Sequence, residues 1–388
     1  MTSIIGWAHT LFGKHEHETL ESMIVNAANE AMDHAKVDPA DIDQIFIGHF
    51  NSGFSRQDFP AGLVLQANPA LRFKPATRTE NACASGSAAV YQGITAIEAG
   101  RARHVLVVGA EKMTDTRGET VGNNLLGASY LPEDHGVKGG FAGLFGQIAD
   151  QYFQRYGDQS DALAAIAAKA HRNGVSNPWA QLRKDLGFAF CREESDRNPV
   201  VAGPLKRTDC SPVSDGAAAL VLASEDIARL SQRAVTFRAA SHVQDFLPMS
   251  RREAIHLEGC TAAWQGAFAR SGVSLDDLSF VETHDCFTIA ELIEYEAMGL
   301  VPRGQGARAI HEGWTEMGGR LPVNPSGGLK AKGHPIGATG VSMHVLSAMQ
   351  LCGVAPQGMQ VSNATLGGVF NMGGTGVANY ASILERSR

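Results

Sequence analysis

The sequence predicts an α/β fold built from two similar halves, with a mainly helical segment inserted into the first. Three observations carry this reading. Short apolar runs bounded by turn residues alternate with helical-period segments, and one run, HVLVVG from His104 to Gly109, is apolar through its centre, as in strands covered on both faces. Two segments, NACASGSAAVYQGITAIEAG from Asn81 and GHPIGATGVSMHVLSAMQLCG from Gly333, each set one reactive side chain at the start of a Gly/Ala/Ser-rich helix, which suggests an internal duplication. Between about 113 and 205 the texture changes to mixed aromatic, Gly and polar residues, as expected of an insertion that covers the core.

In chain order, Ser3 to Ala8 is a short β-rich run. Glu18 to Ala35 then carries Leu20, Met23, Ile24, Ala27, Ala28, Ala31 and Met32 at helical spacing. QIFIG (Gln44 to Gly48) is the next strand, and a helix follows Ala82 and ends near Gly100. Within the insertion two helices are predicted, Phe145 to Tyr156 and Asp161 to Asn173. The sheet pattern resumes at Ser214 to Ala223 (SDGAAALVLA). The second half repeats the outline, with strands at Ala234 to Ala240 and Leu278 to Glu282, a helix at Cys260 to Ser271, and a Gly-rich loop from Asn324 to Gly333. The division is 1–228 for the first half, with the insertion at about 113–205, and 229–388 for the second.

Composition sets limits on function. The 388 residues are 44% hydrophobic and 19% charged, ordinary for a globular protein. A formal net charge of −7 argues against nucleic-acid or membrane-surface partners, which reward basic patches. The 43 glycines point to tight turns and close approach of backbone to ligand. The six cysteines are scattered without a CxxC pair, so neither a zinc ribbon nor a disulfide framework is expected, and no metal is assigned. MTSIIGWAHTLFG lacks the charged-then-apolar pattern of a signal peptide, no apolar run is long enough to span a bilayer, and the last residues do not match SKL. A cytoplasmic protein is the expectation.

Four positions stand out chemically. Cys83 falls between a strand and a helix, where free N–H groups and the helix dipole would favour a thiolate; its small neighbours leave room for a substrate. A buried structural cysteine is the alternative. His334, in KAKGHPIGATG, is enclosed by glycines and by Pro335 at a helix entry, so it could accept a thiol proton. His284 and Cys286, two apart beyond a strand end, could face one pocket. Acid/base work by Cys286 competes with a plain core role in which Asp285 caps the following helix. Glycines in SNATLGGVFNMGGTGVANY could donate N–H groups to an oxyanion; neither a dinucleotide GxGxxG nor a P-loop is present.

NACASG, HDCF, GHPIGATG and the Gly-rich C-terminal strand region together resemble the thiolase superfamily across essentially the whole chain. HDCF stands where most thiolases carry NEAF, and Asn371-Met372-Gly373 stands where they carry CxG. Both departures resemble the branch related to the sterol-carrier-protein-linked peroxisomal enzyme, in which the HDCF cysteine replaces the CxG cysteine. The resemblance implies a duplicated five-layered α-β-α-β-α core with an inserted loop domain. It also implies reversible Claisen condensation or thiolysis of 3-ketoacyl-CoA, in lipid metabolism, with coenzyme A and acyl-CoA as substrates and no permanently bound cofactor.

By the same resemblance Cys83 would carry the acyl group and His334 would activate it. Cys286 would move the α-proton, and His284, through a water, would join His334 at the enolate oxygen. The amides of Cys83 and Gly373 would form the second oxyanion hole, and Ser211 would line the pantetheine tunnel. A homodimer or tetramer is implied, with HVLVVG near the interface, and a small accessory protein is a further expected partner. A specialised carbon-acyltransferase or retro-aldol lyase, and a non-catalytic CoA or lipid scaffold, are the competing readings. Intact Cys83, Cys286 and His334 favour thiolase chemistry over both, and GHPIGATG with HDCF separates the chain from ketoacyl and chalcone-type synthases.

Overall fold

The computed structural model describes residues 1–387. Its strands are β1 (Thr2–His9), β2 (Gln44–Gly48), β3 (Ala76–Thr79), β4 (His104–Glu111), β5 (Val200–Ala202), β6 (Leu205–Lys206), β7 (Gly216–Ser224), β8 (Val235–Gln244), β9 (Phe280–Glu282), β10 (Leu366–Gly373) and β11 (Ala378–Arg386). Among the described residues nine of them form one mixed sheet, in the order β3-β2-β4-β7-β1-β8-β11-β10-β9, and β5 with β6 forms a separate ribbon.

The duplication is visible in strand direction. β2 runs parallel to β4 in the first half, as β9 does to β10 in the second. The next pairs inward, β4–β7 and β10–β11, are antiparallel, and so are β7–β1 and β11–β8. The counterpart of β3 has shrunk to one parallel bridge, Val281 to Val323. Each half therefore leads from its outermost strand, or the remnant of it, to a reactive helix entry: β3 to Cys83, and Val323 to His334. The halves meet where β1 and β8 pair at Ser3–Thr236 and Ile4–Val235.

Helices complete five layers. The Leu20–Ala35 helix, begun by a Thr19/Ser22 capping box, lays its apolar stripe on the outer face of β1, β4 and β7. The Glu258–Ser271 helix covers β8 and β11 in the same way. Between the half-sheets lie Ser85–Glu98 and Ile336–Cys352, packed on each other and on strands of both halves. The second is buried from Ile336 to Leu351; its side chains are apolar or small except His344 and Gln350, whose polar atoms are hydrogen-bonded inside. Glycine sets how closely these helices cross: a Cβ on Gly86 would lie 2.7 Å from the Gly337 carbonyl oxygen. The near-contact holds the Cys83 and His334 segments together at the centre of the molecule.

Glu111, at the end of β4 and fully buried, ties that centre to the rest. Its carboxylate accepts from the amides of Phe50 (2.9 Å), Asn51 (3.0 Å) and Gly337 (3.0 Å), the last in the first turn of the Ile336–Cys352 helix. Glu111→Leu strips all three buried amides of their acceptor. The expected loss is about 3–5 kcal/mol, comparable to breaking a buried charged network, read as a lower urea midpoint at unchanged slope. An unchanged midpoint would contradict this role.

The insertion is helical as expected, with Phe141–Tyr156 and Ser160–Gly174 as its longest elements. HVLVVG lies in β4, third from the end of the sheet and hydrogen-bonded on both sides, with β2 and the edge strand β3 beyond it. No helix among the described residues is long and apolar enough to cross a membrane.

Candidate active site

Cys83 follows a forced turn. Ala82 holds φ at +50°, a left-handed conformation that costs a non-glycine residue roughly 1 kcal/mol or more. Asn81 anchors the turn on one side by donating to the Tyr380 hydroxyl (2.5 Å), and the Ser85–Glu98 helix starts two residues after Cys83. The thiol is buried, and the nearby amides of Gly374 and of Cys83 itself favour its ionised form.

The helix entry does not make Cys83 acidic. Burial pushes its thiol up to about 12, and the two amide donors offset only part of that. Sequence reasoning weighed the helix dipole and could not see the desolvation, which dominates at a 4% exposed sulfur. The resting group is a thiol whose proton must be removed as it reacts.

The acceptor is at hand. The Cys83 sulfur and one ring nitrogen each of His284 and His334 lie within 4.8 Å of one another. The two rings meet edge to face, with centroids 5.1 Å apart. His334 is fixed by three bonds: its amide donates to Ser214 Oγ (3.0 Å), its Nδ1 contacts Thr339 Oγ1 (2.6 Å), and Thr339 in turn donates to the Pro335 carbonyl (2.9 Å). His284 Nδ1 lies 2.8 Å from Asn371 Nδ2, which also donates to the Cys83 carbonyl (3.2 Å). Nε2 of each histidine is buried without a protein partner.

Burial, helped by the nearby Lys332, holds His334 near 3, and burial with the charges of His334 and Lys332 pushes His284 well down. Both imidazoles are thus neutral at physiological pH. A sulfur and two imidazole nitrogens this close are also a donor set that a thiophilic cation could bridge, which chain spacing had not indicated.

Cys286 lines the same cavity of about 830 Å³ as Cys83 and His334. Burial raises its thiol well above the usual value, and the nearby Cys83 adds to the rise. Asp285 does not cap the helix that follows it. Its carboxylate instead accepts from the Leu329 (2.6 Å) and Lys330 (3.2 Å) amides, so it holds the short Gly328–Lys332 helix that leads into His334. The reason is topological: the Val281–Val323 bridge brings that chain alongside, and Phe287 occupies the cap position of the next helix.

Gly373 closes β10 and is followed directly by Gly374. The Gly374 amide favours the ionised form of the resting sulfur, Gly373 accepts from Val377 through its carbonyl (3.0 Å), and both glycines line a small cavity together with Asn81. Ser211 lies in the wall between the main cavity and a second one of about 680 Å³, and its amide donates to the Cys286 carbonyl (2.9 Å). Arg183, Lys184, Arg197, Arg207 and Lys330 face the second cavity, and no acidic side chain lines it.

Asn371, Thr339 and Gly374 were not picked out from sequence. The available signal was Asn371 itself, a polar side chain inside the apolar strand VFNMG; the other two hold site groups through contacts that only the fold reveals.

Two similar halves that clasp buried sulfurs and imidazoles beside a cationic cavity define a class, an α/β acyltransferase. The description "Thiolase, N-terminal domain" matches residues 2–226, and "Thiolase C-terminal domain-like" matches 241–386. An acetyl-CoA acetyltransferase of Methanothermobacter thermautotrophicus is 34% identical over 387 residues, covering 99% of each chain. Sterol carrier protein 2 of Oryctolagus cuniculus is 31% identical, covering 97% of this chain and 70% of that one. Among solved structures, a "Ltp2-ChsH2(DUF35) aldolase" superposes with a TM-score of 0.85 at 22% identity, covering 100% of this chain and 98% of that one. The acetyl-CoA acetyltransferase of Syntrophomonas wolfei superposes with 0.71 at 18%, covering 100% and 99%. The chain belongs to the thiolase family, in the branch that includes the sterol-carrier-protein thiolases, and is a thiolase-type acyltransferase.

Proposed function

We propose that the cavity joins and cleaves 3-ketoacyl-CoA by a route in which Cys83 carries the acyl group and Cys286 moves the α-proton. The observation that carries this is the convergence of the Cys83 sulfur with the imidazoles of His284 and His334, each with an Nε2 free of protein partners, beside a cavity that Cys83, His334 and Cys286 line. In cleavage, His334 Nε2 takes the Cys83 proton as the sulfur attacks the 3-keto carbon. The C2–C3 bond breaks, its electron pair goes to C2, and the Cys286 thiol protonates that carbon. The raised position of Cys286 suits this direction, because it begins as the acid. The acyl-CoA so formed leaves, CoA thiol attacks the acyl-Cys83 carbonyl and gives its proton to the Cys286 thiolate, and the Cys83 sulfur departs and takes back its proton from His334 as the shortened acyl-CoA is released. Condensation is the reverse.

Charge that builds on the thioester oxygen is met by His284 and His334. Charge on the acyl-enzyme oxygen falls to the Cys83 amide and the Gly373-Gly374 turn. The substrate enters past Ser211, with its phosphates among Arg183, Lys184, Arg197 and Arg207, and no permanently bound group is required. This reading explains how a chain of net charge −7 admits an anionic substrate: the cations are gathered at one mouth. Self-association is assigned to the open β3 edge, where a second copy can continue the sheet.

The test is an assay with CoA and 3-ketoacyl-CoAs of several chain lengths. Thiolysis is expected, together with a several-fold rise in the KM for CoA in Arg207→Gln at little change in kcat. Absence of both thiolysis and condensation across the series would overturn the proposal.

A further inference from the structure

We infer that Asn371 is a positioning residue that fixes His284 in the tautomer opposite to that of His334, so that beside the Cys83 sulfur one ring offers an N–H and the other a lone pair. The assignment follows from groups that can only donate or only accept. The Cys83 carbonyl is an acceptor, so the Asn371 atom 3.2 Å from it is the amide nitrogen. That same nitrogen lies 2.8 Å from His284 Nδ1 and spends its second hydrogen there. Nδ1 of His284 is therefore bare, and its proton sits on Nε2, the atom with no protein partner.

The other ring is set the opposite way. The Pro335 carbonyl accepts the Thr339 hydroxyl hydrogen (2.9 Å), which leaves Thr339 Oγ1 as acceptor for His334 Nδ1 at 2.6 Å. His334 Nδ1 therefore carries the proton, and its Nε2 presents a lone pair beside the Cys83 sulfur. Two chemically identical side chains, 5.1 Å apart, thus hold different protons because their backs touch different partners. A protonated Nε2 on His284 also cannot ligate a cation without the ring shifting its proton and losing the Asn371 bond, which disfavours metal capture by the three-atom cluster.

The proton placement stands on hydrogen-bond geometry alone, whereas its catalytic consequence rests on the function proposed above. In that function His334 arrives ready to accept the thiol proton and His284 ready to donate to the thioester oxygen. In Asn371→Asp the carboxylate can only accept, so it captures an Nδ1–H and turns a bare nitrogen toward the Cys83 sulfur. The carbon–carbon step is expected to slow by roughly 10²-fold, as for loss of one oxyanion donor, while KM and transfer of an acetyl group to Cys83 stay within a few-fold of wild type.

The experiment is ¹⁵N NMR of the full-length protein labelled at histidine, with each signal pair assigned by its loss in His284→Gln or His334→Gln. Wild type is expected to show an unprotonated Nδ1 for His284 and an unprotonated Nε2 for His334, and Asn371→Asp is expected to reverse His284 alone. A wild-type His284 protonated at Nδ1, or a tautomer that ignores Asn371→Asp, overturns the inference. If the substitution prevents folding, the wild-type spectrum decides by itself. The tautomers as stated in a protein without thiolase activity would sink the proposed function and leave this inference standing.

Discussion

Cys83→Ala is expected to lower kcat/KM for thiolysis by roughly 10⁴-fold or more, the scale seen when a covalent nucleophile is removed. The size of the effect follows from how much depends on that one atom. A sulfur whose proton is held as far up as about 12 does nothing by itself. On the proposed route it reacts because His334, fixed through Nδ1 and with a ring nitrogen within 4.8 Å of the sulfur, takes the proton during attack. The other sulfurs that line the cavity, Cys210 and Cys286, are outside the cluster with His284 and His334. Cys286 shares the cavity but sits in HDCF, away from the Gly374 amide that serves Cys83, and alanine leaves His334 with no proton to take. CoA binding is expected to survive, because the cationic cavity beyond Ser211 is untouched. Stopped-flow thiolysis beside equilibrium binding of CoA separates the two effects; loss of both would point to a damaged fold instead.

Cys286→Ala is expected to divide the reaction in two. Acetyl transfer from acetyl-CoA to Cys83 keeps its nucleophile and base in Cys83 and His334 and loses only the Cys286 proton to the departing CoA thiolate, which water can supply, so it is expected to stay within about tenfold of wild type. The carbon–carbon step loses its proton carrier and is expected to fall by roughly 10²–10⁴-fold, the usual range for general acid–base groups. Exchange of acetyl-CoA α-protons with deuterated water isolates that step and is expected to fall with it. A mutant defective in acetyl transfer as well would mean that Cys286 supports the shape of the site more than its chemistry. That outcome has a physical route, since the Cys286 carbonyl accepts from Ser211 in the cavity wall.

Much of this was legible in the chain because it is governed by local pattern. The apolar centre of HVLVVG marks β4 as a covered strand, and the Leu20–Met32 stripe marks a helix with one buried face. NACASG and GHPIGATG place the two reactive helices, because only small residues permit the close crossing at Gly86. What stayed hidden depends on contacts between distant segments. β3 (ATRT) has no apolar period, since it is a half-exposed edge, and its counterpart in the second half is a single bridge. Asp285 serves a helix more than forty positions onward because the fold brings the amides of Leu329 and Lys330 to it.

The site shows the same division. Cys83, His284, Cys286 and His334 could be selected by residue type and setting; the fold brings Cys83, Cys286 and His334 to one cavity and sets His284, fully buried, against Cys83 and His334. The choice between Gly373 and Gly374 depends on how β10 ends, which a glycine run cannot disclose. The thiol's reluctance to ionise depends on how completely the insertion and the second half bury it. The part played by Asn371 needs the carbonyl of Cys83, 288 positions away, to be known as its partner.

The central claim, that the acyl group rests on Cys83, is tested most directly by incubating the wild-type enzyme with acetyl-CoA, quenching in acid, and mapping peptides by mass spectrometry. One acetyl group per chain is predicted, on the peptide that contains Cys83 and on no other. Acetylation of Cys286 or any other side chain, with Cys83 left free under turnover conditions, would contradict the account.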